Sequence, residues 1–232
     1  MGLAEGYVIG PIPDWVNPVD APLAYAPPRH SSTSAMFLLF DRQWRVEEEH
    51  QESYVHYVTR PLNTSGVEQS SHISIDFDPV FEALTLHQVT IHRDGKALDR
   101  LQRSQISVIQ REPGLENRVY FGTRTLNIFI DDVRVGDSIE YSYSLNGSNP
   151  ILAGHFSASL AMRSQVPVER VHYRIAWGKT KPLQIRNYRT SIEPVVTFSD
   201  VYAEYVWSVE KVPELTPDAG LPSWYDPFPV VF

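Results

Sequence analysis

The side chains that could do chemistry in this chain are eight histidines, several close pairs of acids and many serines; there is no cysteine. Without Cys there can be no thiolate nucleophile, zinc–thiolate site or disulfide. Histidines beside carboxylates could hold a metal or move protons, so spacing decides. His87 and His92 lie five apart in a strand-like run, which predicts side chains on opposite faces. His50 and His56 share a face, but six residues of strand separate them by about 20 Å. His72 and Asp76 share a face too, beyond one ion's reach unless another strand contributes. These spacings predict no metal site, and no cofactor is implied. Asp76 with Asp78, or Asp131 with Asp132, could serve glycoside hydrolysis at a separation of ~5–10 Å. Acids at strand ends more often only solubilise them. No Gly-x-Ser-x-Gly elbow supports a Ser-His-Asp nucleophile. The segment is therefore expected not to be an enzyme.

The elements that would have to position such residues are strands. From Ser138 to Leu145 the alternation is unbroken, with Ile139, Tyr141, Tyr143 and Leu145 on one side and Ser138, Glu140, Ser142 and Ser144 on the other. Period two with aromatic and β-branched residues on one side predicts a strand with one buried and one wet face. Gly136 and Asp137 form the structural turn that aims the chain into it. Gly can take φ > 0 without steric cost, and Asp137 should bond backbone amides in the turn. Asn146-Gly147 ends the strand. The same pattern recurs at Ile73–Phe77, His87–Ile91, Ile106–Val108, Phe156–Met162, Val171–Trp177 and Tyr205–Val209. Phe37–Phe40 and Val55–Thr59 read as two further strands, and Asn63-Thr64-Ser65-Gly66 reads as a turn. Asp94-Gly95 marks a hairpin, and Pro113-Gly114 starts a loop or a brief turn of helix. Roughly a dozen strands separated by turn signals predict an all-β, antiparallel β-sandwich.

Several blocks, in order, resemble a bacterial domain of unknown function that precedes transglutaminase-like domains. They are Gly10-Pro11-Ile12-Pro13-Asp14-Trp15-Val16, Phe77-Asp78-Pro79 with Leu84-Thr85-Leu86-His87, and Arg93-Asp94-Gly95. Val135-Gly136-Asp137 with Ile139-Glu140-Tyr141 and Pro213-Glu214-Leu215 complete the set. The resemblance implies an accessory module and, as its partner, a C-terminal transglutaminase-like domain of the same protein. It also implies a Gram-negative bacterium and a periplasmic or otherwise extracytoplasmic place. A glycan- or peptide-binding module using aromatics on one sheet face is the alternative; a glycan would need two or three exposed Trp or Tyr side chains in a row.

Composition sets the outer limits. The formal net charge of −8, from 20 basic and 28 acidic residues in 232, argues against nucleic acid and anionic membrane. No apolar run approaches the ~20 residues of a membrane-spanning helix, and Met36–Phe40 is too short for a secretory core. Glu47-Glu48-Glu49 reads as a solvated strand face or loop rather than an ion site. Proline divides the chain into an extended arm at 1–35, a β domain at 36–212 and a proline-rich tail or linker at 213–232. Proline fixes φ and removes a donor, so both ends should be extended arms rather than sheet. In the tail, Trp224, Tyr225 and Phe228 are candidate interdomain contacts, because clustered aromatics often mark contact surfaces. Leu221 and Trp224 should dock on the sandwich, with Phe228 to Phe232 reaching a neighbour.

Overall fold

A computed structural model describes residues 6–25, 33–110, 122–217, 220–222 and 225–232. Three sheets make a β-sandwich. Strands in chain order are β1 (Tyr7–Ile9), β2 (Ala35–Val46), β3 (Gln51–Pro61), β4 (His72–Phe77), β5 (Ala83–Arg93), β6 (Lys96–Asp99), β7 (Gln105–Gln110) and β8 (Arg124–Phe129). After them come β9 (Ser138–Asn146), β10 (Leu160–Ala161), β11 (Val168–Trp177), β12 (Asn187–Tyr188), β13 (Val195–Phe198), β14 (Ala203–Val212) and β15 (Val230–Val231). The large sheet has nine strands in the order β1-β5-β9-β3-β2-β11-β14-β13, with β6 paired to β5. Two three-stranded sheets, β4-β8-β7 and β10-β15-β12, cover one of its faces in two places.

Alternation explains those two interfaces. Leu84, Leu86, Val89, Ile91 and Ile139 meet Ile73, Ile75, Phe77, Leu126 and Ile128 in one core. Trp44, Val171, Tyr173, Ile175, Trp177 and Trp207 meet Leu160, Met162 and Val231 in the other. Burying a large side chain of this kind contributes about 1.5–3 kcal/mol. Most pairings are antiparallel, but β1 runs parallel to β5 and β2 parallel to β11. The long excursion between β2 and β11 makes the second possible, since a parallel pair needs a crossover rather than a tight turn.

Local signals resolve the remaining elements. Asp94 and Gly95, both with φ > 0, turn β5 into β6. Asn63-Thr64-Ser65-Gly66 is the start of a helix, α1 (Thr64–Ser70), rather than a simple turn. Asn63 is its N-cap, its side chain accepting from Gly66 N–H at 3.0 Å. A Cβ on Gly66 would stand 1.9 Å from Ser34 O, so only glycine lets the helix approach the start of β2. Leu183 and Ile185 face the core outside any strand, while β13 is exposed along its length and so carries no alternation to mark it. Pro113-Gly114 lies outside the described residues. Among those residues no helix is long and apolar enough to cross a membrane.

The described parts of both arms are tied down. The arm begins with β1 and then crosses the second face of the large sheet, where Val16 is buried and Val19, Ala21 and Tyr25 pack on Met36, Leu38, Leu39 and Val58. The tail closes as β15, the central strand between β10 and β12. Val230 and Val231 are buried in this domain instead of reaching a neighbour.

Candidate functional site

The second face of the large sheet is polar, and it is covered. Ser138, Ser142 and Ser144, expected to be wet, are buried along with Asp41, Gln43, His56 and Arg174. The N-terminal arm lies over them. Proline-rich chain has carbonyls to spare because proline lacks an N–H, and the sheet supplies donors to match. Arg174 Nη1 donates to Trp15 O at 3.0 Å, Gln43 Nε2 to Asn17 O at 2.7 Å, and Arg170 Nη1 to Asp20 O at 3.1 Å. Arg60 donates to Leu23 O at 2.6 Å and, through a very short bond, to Tyr25 O. Asn17 N–H donates in return to Gln43 Oε1 at 3.0 Å.

Beneath the arm, a cleft of about 450 Å³ is lined by Ile12, Val16, Val19 and Leu23 from the arm and by Tyr54, His56, Gln88, His92 and Glu140 from the sheet. Glu140 on β9 sits between two histidines on the neighbouring strands. His56 Nε2 is 2.7 Å from one of its oxygens and His92 Nε2 is 2.5 Å from the other. Burial pushes the Glu140 carboxyl upward, but the hydrogen bonds from His56 and His92 and their charge outweigh it, so its pKa is lowered overall. An ionised carboxylate only accepts, which fixes a proton on both Nε2 atoms. Burial also raises the Tyr54 hydroxyl to about 12.

His87 belongs to the same face. It touches Gly10 O at 3.0 Å and Ser144 Oγ at 3.1 Å, and burial lowers its pKa against the opposing hydrogen bond to Gly10 and the charge of Glu52. The prediction that His87 and His92 point to opposite faces is overturned by a bulge in β5 between Leu86 and Gln88. An extra residue flips every side chain beyond it. The signal is present in the sequence: the core positions change phase from Leu84 and Leu86 to Val89 and Ile91.

A second polar cluster lies further along the face. Asp41 accepts from His172 Nδ1 at 2.7 Å and from Gln43 Nε2 at 3.0 Å, while Arg174 forks onto Glu204 at 2.5 and 3.3 Å. Ser208 stands opposite His172 in the ladder, so Asp41, His172 and Ser208 form a row of triad types across β2, β11 and β14. No hydrogen bond joins Ser208 to His172 among the described residues, and β11 is paired on both of its edges. Among the described residues the row thus lacks the serine–histidine hydrogen bond of a triad. No cluster of three or more His, Cys, Asp or Glu among the described residues is arranged to hold a metal.

The other singled-out residues are scattered. Gly136 has φ of 88°, and Asp137 is buried, accepting from Arg134 N–H at 2.8 Å. It also takes both ends of the Arg93 fork at 2.8 and 2.7 Å, a contact between residues far apart in the chain that no local pattern announces. His72 bonds Asn127, and Asp76 accepts from Thr125, both away from the polar face. Glu47 and Glu48 accept from Tyr202 and Thr180. Tyr225 lies under Arg189, whose guanidinium is 4.4 Å from the ring centre; Phe228 is half-buried. Trp224 lies outside the described residues. Trp44, Trp177 and Trp207 are core residues, so they form no aromatic platform for a glycan.

A model of the family described as a domain of unknown function with a solved structure, DUF3857, matches residues 47–216. No curated protein matches the chain. Among solved structures, a protease candidate from Parabacteroides distasonis superposes with a TM-score of 0.74 at 14% identity, over 87% of this chain and 40% of that one. An M1 zinc metallopeptidase from Deinococcus radiodurans gives 0.40 at 10% identity, over 85% and 42%; yeast LTA4 hydrolase gives 0.38 at 12%, over 92% and 32%. The chain thus spans less than half the length of each, and only the first shares its fold closely. With most of its length matched, the chain belongs to the DUF3857 family of domains of unknown function.

Proposed function

We propose that this chain is a non-catalytic module that positions or regulates a following transglutaminase-like domain, of cysteine protease or transferase type, in the same protein. The observation that carries the reading is the tail. Val230 and Val231 are the central strand of a sheet, and Phe232 exchanges two hydrogen bonds of 2.8 Å with Arg186. A domain attached there would leave from a fixed strand and hence in a fixed direction, unlike one on a flexible linker.

Other features support it. The ordered motif blocks resemble the domain that precedes transglutaminase-like domains, and with no Cys in this chain a thiolate nucleophile would have to come from another part of the protein. The polar face is occupied by the chain's own arm. The Parabacteroides relative is described as a protease candidate, and the shared fold makes up 40% of it. The same motif resemblance supports a place in the periplasm or another extracytoplasmic space of a Gram-negative bacterium.

The test compares peptide hydrolysis and acyl transfer by the longer protein, by its following domain alone, and by this chain alone. The reading expects none from this chain and a changed kcat/KM when the module is removed. Turnover by this chain that is lost in His172→Ala, or an unchanged kcat/KM for the isolated following domain, would contradict it.

A further inference from the structure

The small sheet β10-β15-β12 has flanks that outrun its centre. Both β10 and β12 are antiparallel to β15, with Leu160 and Asn187 each opposite Val231. The residues preceding them therefore run on either side of the line along which β15 points. Those residues, Phe156–Ala158 on one side and Leu183–Ile185 on the other, line one cavity of about 120 Å³. Ile175 and Trp207 of the large sheet also line it, with Val231 and Phe232 where the strand leads in. Among the described residues no hydrogen bond engages the backbone of either flank. Trp207 is 1% exposed, yet among the described residues its indole N–H has no acceptor. A buried donor without a partner is costly and uncommon.

We propose that this gap is a slot for one extended peptide strand in line with β15, filled by the segment that connects this chain to the following domain. The inference rests on the module reading above. Its chemistry comes from period two. Val231 is buried and Phe232 is 57% exposed, so the next position turns its side chain inward, toward Ile175 and Trp207. That side chain is apolar and no larger than about a benzene ring or leucine, the size such a cavity admits. The occupant's backbone pairs with the two flanks, as in strand addition to a sheet, and one of its carbonyls or a side-chain oxygen accepts from the indole N–H of Trp207. Continuity with the established ladder selects this occupant: Phe232 already bonds Arg186 on one flank.

The test extends the chain past Phe232 with Val-Thr-Val and, in a second protein, with Gly-Ser-Gly. The Trp207 indole N–H, assigned through Trp207→Phe, is followed by NMR together with amide exchange over 156–158 and 183–185. Val-Thr-Val is expected to move the indole resonance and to slow exchange of the flanking amides roughly tenfold. Ala158→Trp, which fills the cavity, should abolish both effects in the Val-Thr-Val protein. Indistinguishable extensions, or protection that survives Ala158→Trp, would overturn the slot. The two readings fail separately. If Ala158→Trp leaves the module's effect on the following domain intact in the longer protein, the slot is wrong and positioning stands. Slot occupancy without any such effect would sink positioning instead.

Discussion

Glu140→Gln is the sharpest perturbation of the covered polar face. Glu140 accepts from two histidines at 2.7 and 2.5 Å and its side chain is 14% exposed, so screening by water is modest. A hydrogen bond to a charged group contributes about 1.5–3 kcal/mol net. Glutamine keeps the shape and one carbonyl oxygen, retaining one histidine, while its amide confronts the other Nε2–H. The expected loss is one charge-assisted bond, about 1.5–3 kcal/mol. Glu140→Ala removes both bonds and should cost roughly 3–5 kcal/mol, as for breaking a buried pair. The sign with pH is fixed by the lowered carboxyl pKa. A carboxyl depressed in the fold contributes stability that is complete above its unfolded value of about 4.3. That contribution is lost as pH falls through the folded value. Urea denaturation, read by tryptophan fluorescence at pH 7 and in an acid series, measures this directly. The wild-type advantage over Glu140→Gln should be full at pH 7 and shrink below about pH 4.3. An unchanged midpoint at pH 7, or an advantage that persists undiminished once the carboxyl is protonated, would refute the reasoning.

The same contacts set three further outcomes. Gly136→Val, at φ of 88°, should destabilise by about 1–3 kcal/mol through backbone strain, since a Cβ there meets no neighbouring atom; the denaturation midpoint checks it. Arg60→Ala removes the donors to Leu23 O and Tyr25 O, and should speed amide exchange and proteolysis across residues 10–25 well before the sandwich unfolds. His87, with its pKa lowered by burial, is held neutral in the fold, so the unfolded chain takes up its proton first. Stability should fall as pH drops below about 6.5, and His87→Gln should flatten that part of the curve.

Much of the sheet is legible in the sequence because side-chain period alone specifies it. The alternation of Ile139, Tyr141, Tyr143 and Leu145 locates β9, and Asp94-Gly95 locates the β5–β6 hairpin. The illegible parts depend on contacts distant in sequence. Nothing near Ser138, Ser142 or Ser144 says that an arm more than a hundred residues away will cover them. The cue is indirect: a proline-rich arm has unbonded carbonyls, and Arg60, Arg170 and Arg174 stand on the strands it crosses. The histidine cluster is hidden for a local reason, since one bulged residue after Leu86 reverses the face of His92. Asn63 reads as a turn residue, although the same side-chain oxygen that favours turns caps helices. The tail reads as a linker because proline is poor in sheets; two valines between the last proline and Phe232 are enough for a strand.

If, as proposed, a following domain is held in a fixed orientation through the β15 junction, the two domains tumble as one body. Residual dipolar couplings on the longer protein test it most directly, because each domain reports its own alignment. The account predicts that amides of this module and of the following domain fit one common alignment tensor. Two tensors of different magnitude, the mark of domains reorienting about a flexible joint, would contradict it.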